Sequence, residues 1–170
     1  MPKKYIKAID ALQEAQKIAF APFVFQTTVS LKNLGVFDFI FKNVAKGGVT
    51  LEEIAETLSI SEYGLGVLLE MAESSDIVSI DERERYELTK IGYFLNYNPM
   101  TQVNMNFTQD VCYQGLYHLE EAIREGKPAG LKELGDWPTI YEGLSQLKPE
   151  IRSLGSILTI SIRMAFSRKP

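Results

Sequence analysis

Histidine, cysteine and tryptophan each occur once in this chain of 170 residues, and these scarcities exclude much chemistry before any motif is sought. A lone Cys112 permits no internal disulfide and fits a reducing compartment. It reads as a small buried hydrophobe rather than a nucleophile. Any histidine metal site would have to be built on His118, and any Cys-His pair would need Cys112 beside it. Six residues apart on a helix, the two point to different faces. No zinc site is expected, and His118 reads as an ordinary helix-surface or interface residue.

Other absences narrow the field further. No apolar run reaches the roughly 18 residues that a membrane span needs, and no opening segment combines the basic start, continuous apolar run and small-residue cleavage site of a secretory leader. The expectation is a cytoplasmic protein with no membrane partner. A formal net charge of -4 supplies no general pull toward nucleic acid. Glycine loops that cradle phosphates are missing, since Gly64 and Gly66 fall inside a helical pattern rather than after a strand. The adjacent carboxylates Glu52 and Glu53, and Glu120 and Glu121, diverge around their helices and read as solvated faces. No catalytic, cofactor-binding or metal-ligating residue is assigned.

What is abundant is phenylalanine in one place. Six of the nine phenylalanines lie between Phe20 and Phe41, a stretch too apolar for a solvated surface helix. Either the chain itself or a second copy must cover it. A chain of this length buries roughly 70% of its unfolded surface, so a substantial core is possible.

The periodicity predicts a mainly α protein. Apolar positions Tyr5, Ile9, Leu12, Ala15 and Ala19 mark an amphipathic helix from Lys3 to Ala19. Pro22 should end it and start a second, Pro22 to Leu34. Gly35 suits a left-handed cap, followed by a short apolar helix, Asp38 to Val44, ending at Gly47 and Gly48. Thr50 with Glu53 has capping-box spacing ahead of the stripe Leu51, Ile54, Ala55 and Leu58.

After Ser59 and Ile60, a capped helix from Ser61 to about Ser75 should bury Leu65, Leu68, Leu69 and Ala72. The runs IVSI and RYEL around the charged turn Asp81 to Glu84 read as a hairpin. Helix, turn, helix and hairpin make a winged helix-turn-helix with a small β-hairpin wing. Thr89 caps a brief helix carrying Ile91, Phe94 and Leu95. A long helix from about Met100 to Glu125 should present Val103, Phe107, Val111, Leu119 and Ile123, with Gly115 marking a close approach of another helix. A last proline-initiated helix follows Asp136 and carries Trp137, Ile140, Tyr141 and Leu144. The row Tyr113, Tyr117, Trp137 and Tyr141 reads as core rather than pocket.

Winged helices often bind DNA, but a reading helix needs arginine, lysine or amide groups on its exposed face. From Gly47 to Glu82 there are nine acidic residues and no lysine or arginine. The hairpin adds only Arg83 and Arg85, diluted by Glu82 and Glu84. The charge argues for a packing scaffold and against nucleic acid. A winged-helix transcriptional regulator that binds DNA stands as the alternative.

The ordered motifs LKNLGVFDFI, VTLEEIAETLSIS, YELTKIGYFL and DWPTIYEGLSQLKPEIRSLG resemble the amino-terminal region of S-adenosylmethionine-dependent methyltransferases of the plant O-methyltransferase type. The likeness runs nearly to Gly155. It implies a winged-helix homodimerisation domain with long flanking dimerisation helices, and a separate Rossmann-like domain that binds S-adenosylmethionine. The glycine motif of that second domain is not found, so the resemblance implies a dimerisation module that holds no cofactor and is inert alone, with a small-molecule substrate only where a catalytic domain is present.

The resemblance divides the chain into dimerisation helices at 1–45, the winged helix-turn-helix at 46–98, a long helix and further dimerisation helices at 99–153, and an atypical tail at 154–170. It implies a homodimer interface at Leu12, Phe20, Phe23, Val24, Phe25 and Leu31. Phe107, Asp110 and Tyr113 become substrate-pocket candidates, because some members close the pocket with the corresponding helix. The tail lacks acidic residues and, read one frame over from Leu154, can spell a stretch similar to the family's connector to its catalytic domain. The expectation is a frame change there, against the simpler reading of a terminal amphipathic helix on Ile157, Ile160 and Met164.

Overall fold

A computed structural model describes residues 6–137, which fall into two compact units dividing between Asn96 and Tyr97. The first unit opens with α1 (Ala8–Asn33), a single helix of 26 residues. The break expected at Pro22 is absent. An interior proline removes one donor and crowds one carbonyl, at a cost of about 3 kcal/mol. That cost is local, whereas the turns beyond it are anchored by Thr27, Thr28 and Leu31, all buried. Continuation of the helix is what places those three side chains in the core.

Gly35, with φ at 77°, turns the chain left-handed into α2 (Val36–Lys42). A short 3-10 turn, Val44–Lys46, follows where the helix was expected to continue, and Gly47 closes it at φ 81°. The capping box forms in full ahead of α3 (Leu51–Leu58): Thr50 N–H donates to Glu53 Oε2 at 2.8 Å, and Glu53 N–H donates to Thr50 Oγ1 at 3.3 Å. Ser61 caps α4 (Glu62–Ser74) by accepting from Gly64 N–H at 3.4 Å.

The hairpin pairs β1 (Val78–Ile80) with β2 (Tyr86–Leu88) antiparallel, Val78 opposite Leu88 and Ile80 opposite Tyr86. Val49 bridges to Tyr86 through Tyr86 N–H at 2.7 Å and its own N–H at 3.3 Å, tying the approach to α3 onto the hairpin. Thr89 then caps α5 (Lys90–Tyr97), its Oγ1 accepting from Gly92 N–H at 3.2 Å. Leu31, Val36, Phe37, Ile40, Ile54, Leu65 and Leu69 are fully buried and form one core with Val49, Ala55, Ala72, Ile77 and Val78. The architecture is mainly helical with one two-stranded antiparallel sheet among the described residues.

The second unit starts with α6 (Pro99–Phe107), capped by Asn98 Oδ1 accepting from Thr101 N–H at 2.9 Å. The single long helix expected from Met100 to Glu125 is replaced by a relay. A π turn spans Thr108–Cys112, closed by Tyr113 N–H donating to Thr108 O at 2.8 Å. A 3-10 segment occupies Gly115–His118 before α7 (Leu119–Glu125) and a last 3-10 turn, Ala129–Glu133.

At Gly115 the returning chain comes close. A Cβ there would stand 3.1 Å from the Gly130 carbonyl oxygen, so the returning chain passes against the glycine backbone. The close approach expected at Gly115 is present, made by a 3-10 turn rather than a helix. The helix expected after Asp136, with Ile140, Tyr141 and Leu144, and the tail from residue 154 lie outside the described residues.

Candidate self-association surface

The amino-terminal part of α1 carries the apolar pattern of a buried helix, yet it is not buried. Every residue from Ile6 to Phe23 is exposed, including the large apolar side chains Ile6, Ile9, Leu12, Ile18, Phe20 and Phe23. Phe20 and Phe23 lean on each other, ring centroids 6.0 Å apart. The charged groups Glu14 and Lys17 pair at 2.9 Å across one turn, which raises the lysine pKa through that hydrogen bond and the carboxylate charge. An exposed apolar rod of this kind is unfavourable in water unless a partner covers it.

The sequence-derived interface residues separate into two groups. Leu12, Phe20 and Phe23 are exposed, with Phe23 62% accessible. Val24 and Phe25 are half-buried, Val24 packing on the core. Leu31 is 0% accessible within its own chain, as part of the buried core. Period alone placed it on the same helix, and only the packing of α2 and α4 around it distinguishes core from interface.

A second exposed apolar cluster went unread in the sequence. Phe41 of α2 and Tyr93 of α5 meet at a tilt of 51° with centroids 5.4 Å apart, and Tyr93 meets Phe94 edge-on at 5.7 Å. Ile91 and Phe94, expected as apolar residues of α5, are exposed, while Gly92 and Asn96 of the same helix are buried and Leu95 packs on the core. Asn96 Nδ2 donates to Asp38 Oδ1 at 2.8 Å, joining α5 to α2.

The outward face of α4 presents Glu62, Tyr63, Val67, Glu70 and Glu73. Its field is visible at Tyr86, whose phenol pKa is raised first by burial and then by Glu73, Glu70, Glu84 and Glu52. Arg85, one of the two hairpin arginines, is committed elsewhere. Its guanidinium donates to the Gly47 and Gly48 carbonyls at 2.9 Å and to Glu53 at 3.2 Å.

The pocket candidates bracket the π turn: Phe107 ends α6, Asp110 lies inside the turn and Tyr113 follows it. Phe107 and Tyr113 are half-buried and Asp110 is exposed. Burial raises the Cys112 thiol pKa, in keeping with a packing role. His118 joins two carboxylates, Nε2 lying 2.7 Å from Glu133 and Nδ1 3.4 Å from Glu121. Lys132, 2.7 Å from Glu121, and His118 together lower that glutamate's pKa. The aromatic row read as core does not hold at Tyr117, which is 92% exposed; Tyr141 lies outside the described residues. Among the described residues, no group of three histidine, cysteine, aspartate or glutamate side chains is placed to hold a metal, and no helix is long and apolar enough to cross a membrane.

Comparison with known proteins adds to this geometry. The Dimerisation2-like domain matches residues 13–86. Among solved structures, the chain is similar to the S-adenosylmethionine-dependent methyltransferase SibL in its apo form, with a TM-score of 0.73 and 18% identity over 91% of this chain and 45% of that one. It is also similar to the pyocyanin biosynthetic protein PhzM, with a TM-score of 0.70 and 16% identity over 93% of this chain and 46% of that one. A third is N,N-8-amino-8-demethyl-D-riboflavin dimethyltransferase (RosA) from Streptomyces davawensis, with a TM-score of 0.66 and 18% identity over 95% of this chain and 47% of that one. The chain thus spans less than half the length of these structures. No curated protein matches it.

Proposed function

We propose, since residues 13–86 of this chain belong to the Dimerisation2-like domain family, the N-terminal dimerisation domain of plant-type O-methyltransferases, that these 170 residues are the homodimerisation part of a small-molecule S-adenosylmethionine-dependent methyltransferase. The observation that carries the reading is the exposed apolar face of α1 from Ile6 to Phe23. Covering such a face with a second copy removes apolar surface from water, which stabilises association by about 25 cal/mol per Å². Methyl transfer and cofactor binding belong, in this reading, to a further domain, and the 170 residues alone transfer no methyl group.

Within this reading α3, α4 and the β1–β2 hairpin are a winged helix-turn-helix used as scaffold. The acidic outer face of α4 and the commitment of Arg85 to backbone carbonyls support that use over DNA binding, since phosphate would meet Glu62, Glu70 and Glu73 with little cation release. The π turn supports a pocket-closing role for Phe107, Asp110 and Tyr113, because such turns recur at functional sites and re-aim side chains.

Light scattering on the 170-residue chain tests the proposal. A dimer at micromolar concentration, with no heat of S-adenosylmethionine binding by calorimetry, is the expected result. A stable monomer contradicts self-association, and salt-sensitive retardation of duplex DNA would instead favour a regulator.

A further inference from the structure

The exposed face of α1 has a symmetry of its own. At about 100° per residue, the side chains facing the same way as Gln16 are Ile9, Leu12, Gln13, Ala19, Phe20 and Phe23. All are exposed, Gln16 included. The charged residues of this segment, Lys7, Asp10, Glu14 and Lys17, point about 100° or more away from that direction. Ile18 lies on the far side and takes no part in it.

The face is therefore uncharged, with Gln13, Gln16 and Ala19 at its middle and large apolar side chains at both ends. Ile9 and Leu12 stand toward one end, and the Phe20–Phe23 aromatic pair toward the other. Residues equally distant from Gln16 are matched: Leu12 with Phe20, Ile9 with Phe23, Gln13 with Ala19. Two copies related by a two-fold axis at Gln16, running antiparallel, would bring each of these pairs together. A two-fold contact is self-complementary, so one such face is both donor and acceptor.

Resting on the reading of α1 as the dimerisation arm, we infer that two copies of this chain cross antiparallel at Gln16. Leu12 and Ile9 of each copy pack on Phe20 and Phe23 of the other. Gln16 meets its own copy at the axis, where a primary amide, having both N–H donors and a carbonyl acceptor, satisfies an identical amide reciprocally. Register is set by the outer layers: a slip of three residues would still pair Gln16 with the amide of Gln13, but it would place Leu12 opposite the charged Lys17. The Leu12–Phe20 and Ile9–Phe23 layers each set an aliphatic side chain against an aromatic one, which keeps the axes evenly spaced at about 8–10 Å. Antiparallel crossing also opposes the two helix dipoles favourably.

The placement of the cores supports this direction. Leu31, in the buried core, is fifteen positions beyond Gln16, or about 22 Å along the helix. An antiparallel pair holds the two cores roughly 45 Å apart, wider than a unit of about a hundred residues, whose radius of gyration is about 13 Å. The first units then do not collide. A parallel pair would put both cores at the same end and set Phe20 and Phe23 against their own copies, crowding the axes there while the aliphatic layers at the other end stood apart.

Cysteine trapping in the full chain reads the register directly. Cys112, the only native cysteine, is first replaced as C112S, and Q16C, I9C and F23C are each added to that background. All three sites are exposed, so folding, checked by circular dichroism, is expected to be retained. Under mild oxidation Q16C should convert mostly to a covalent dimer, and an equal mixture of I9C and F23C should form the mixed dimer, while I9C alone and F23C alone should stay largely monomeric on a denaturing gel. A dimer by light scattering in which I9C links to itself, or in which Q16C does not link, overturns the antiparallel register while leaving the dimerisation reading intact. A monomer by light scattering with no cross-link in any variant overturns both.

Discussion

Gly92 and Ile77 meet backbone to backbone: a Cβ at position 92 would overlap the Ile77 carbonyl oxygen and lie 3.2 Å from the Leu88 side chain. The same carbonyl accepts from Thr89 N–H at 3.2 Å, and the single proton of the Thr89 hydroxyl is shared between Asp76 O at 2.5 Å and this carbonyl at 3.1 Å. The contact seats α5 against the start of the hairpin. Replacing Gly92 by alanine must push α5 away or break these bonds, since the backbone carbonyl cannot swing aside as a flexible side-chain end would. Overpacking of this kind costs about 2 kcal/mol, which lowers Tm by roughly 4–8 °C in a chain of this size. Thermal unfolding of G92A beside the parent measures it; an unchanged Tm would show that the contact relaxes freely.

Arg85 should be irreplaceable by lysine. Its Nε and Nη2 both reach the Gly48 carbonyl, at 3.2 and 2.9 Å, while Nε also bonds Gly47 O. An ammonium has no planar fork with which to hold this bend. Both R85K and R85A should therefore lose stability, each by about 1–2 kcal/mol given that hydrogen bonds from charged donors are worth about 1.5–3 kcal/mol and this group is partly solvated. Urea unfolding compares them. Full recovery in R85K would mean that charge, through Glu53, matters more than geometry.

Where local chemistry decides, the sequence was legible. The Thr50–Glu53 capping box, the caps at Ser61 and Thr89 and the left-handed Gly35 each depend on residues within one turn of one another. Pro22 was misread because the cost of a proline is local while the gain that offsets it, burial of Thr27, Thr28 and Leu31, comes from elements distant in sequence. The π turn at Thr108–Cys112 carries no compositional signal, since its five residues include neither glycine nor proline. For the candidate surface, period identified α1 as apolar but could not separate Leu31, enclosed by its own chain, from Phe23, left open. The Phe41–Tyr93–Phe94 cluster was invisible because it joins two helices whose proximity only the fold supplies.

Asp81 should make the hairpin sensitive to acid. Its carboxylate accepts from Arg85 N–H at 2.9 Å and Arg83 N–H at 2.8 Å, and the first of these bonds leads in lowering its pKa. A group with a depressed folded pKa contributes stability above its unfolded pKa of about 3.9, and that contribution is lost as pH falls through the lower folded value. Between about pH 5 and pH 2, D81N should therefore lose less stability than the parent, because amide nitrogen and oxygen do not titrate. Chemical denaturation across that range checks the slope; parallel curves for the two proteins would remove Asp81 from the acid response.

Leu31 and Phe23 lie eight residues apart on one helix but should fail in different ways. Leu31 is fully enclosed and Phe23 is 62% exposed, so their substitutions act on different equilibria. Truncation in L31A leaves a cavity in the core and should cost about 2–5 kcal/mol, lowering the unfolding midpoint with association changed only through the loss of folded protein. In F23D the carboxylate of a separated chain stays in water, so the monomer should keep its helical signal. In the dimer that carboxylate would be buried against the partner helix without a counter-charge, at a cost of several kcal/mol. Each 1.4 kcal/mol weakens association about tenfold, so F23D should be monomeric at concentrations where the parent is dimeric. Circular dichroism paired with sedimentation measures both properties on one sample. A folded, dimeric F23D would take α1 out of the interface, and an unfolded F23D would show that this exposed phenylalanine holds the fold and not the pair.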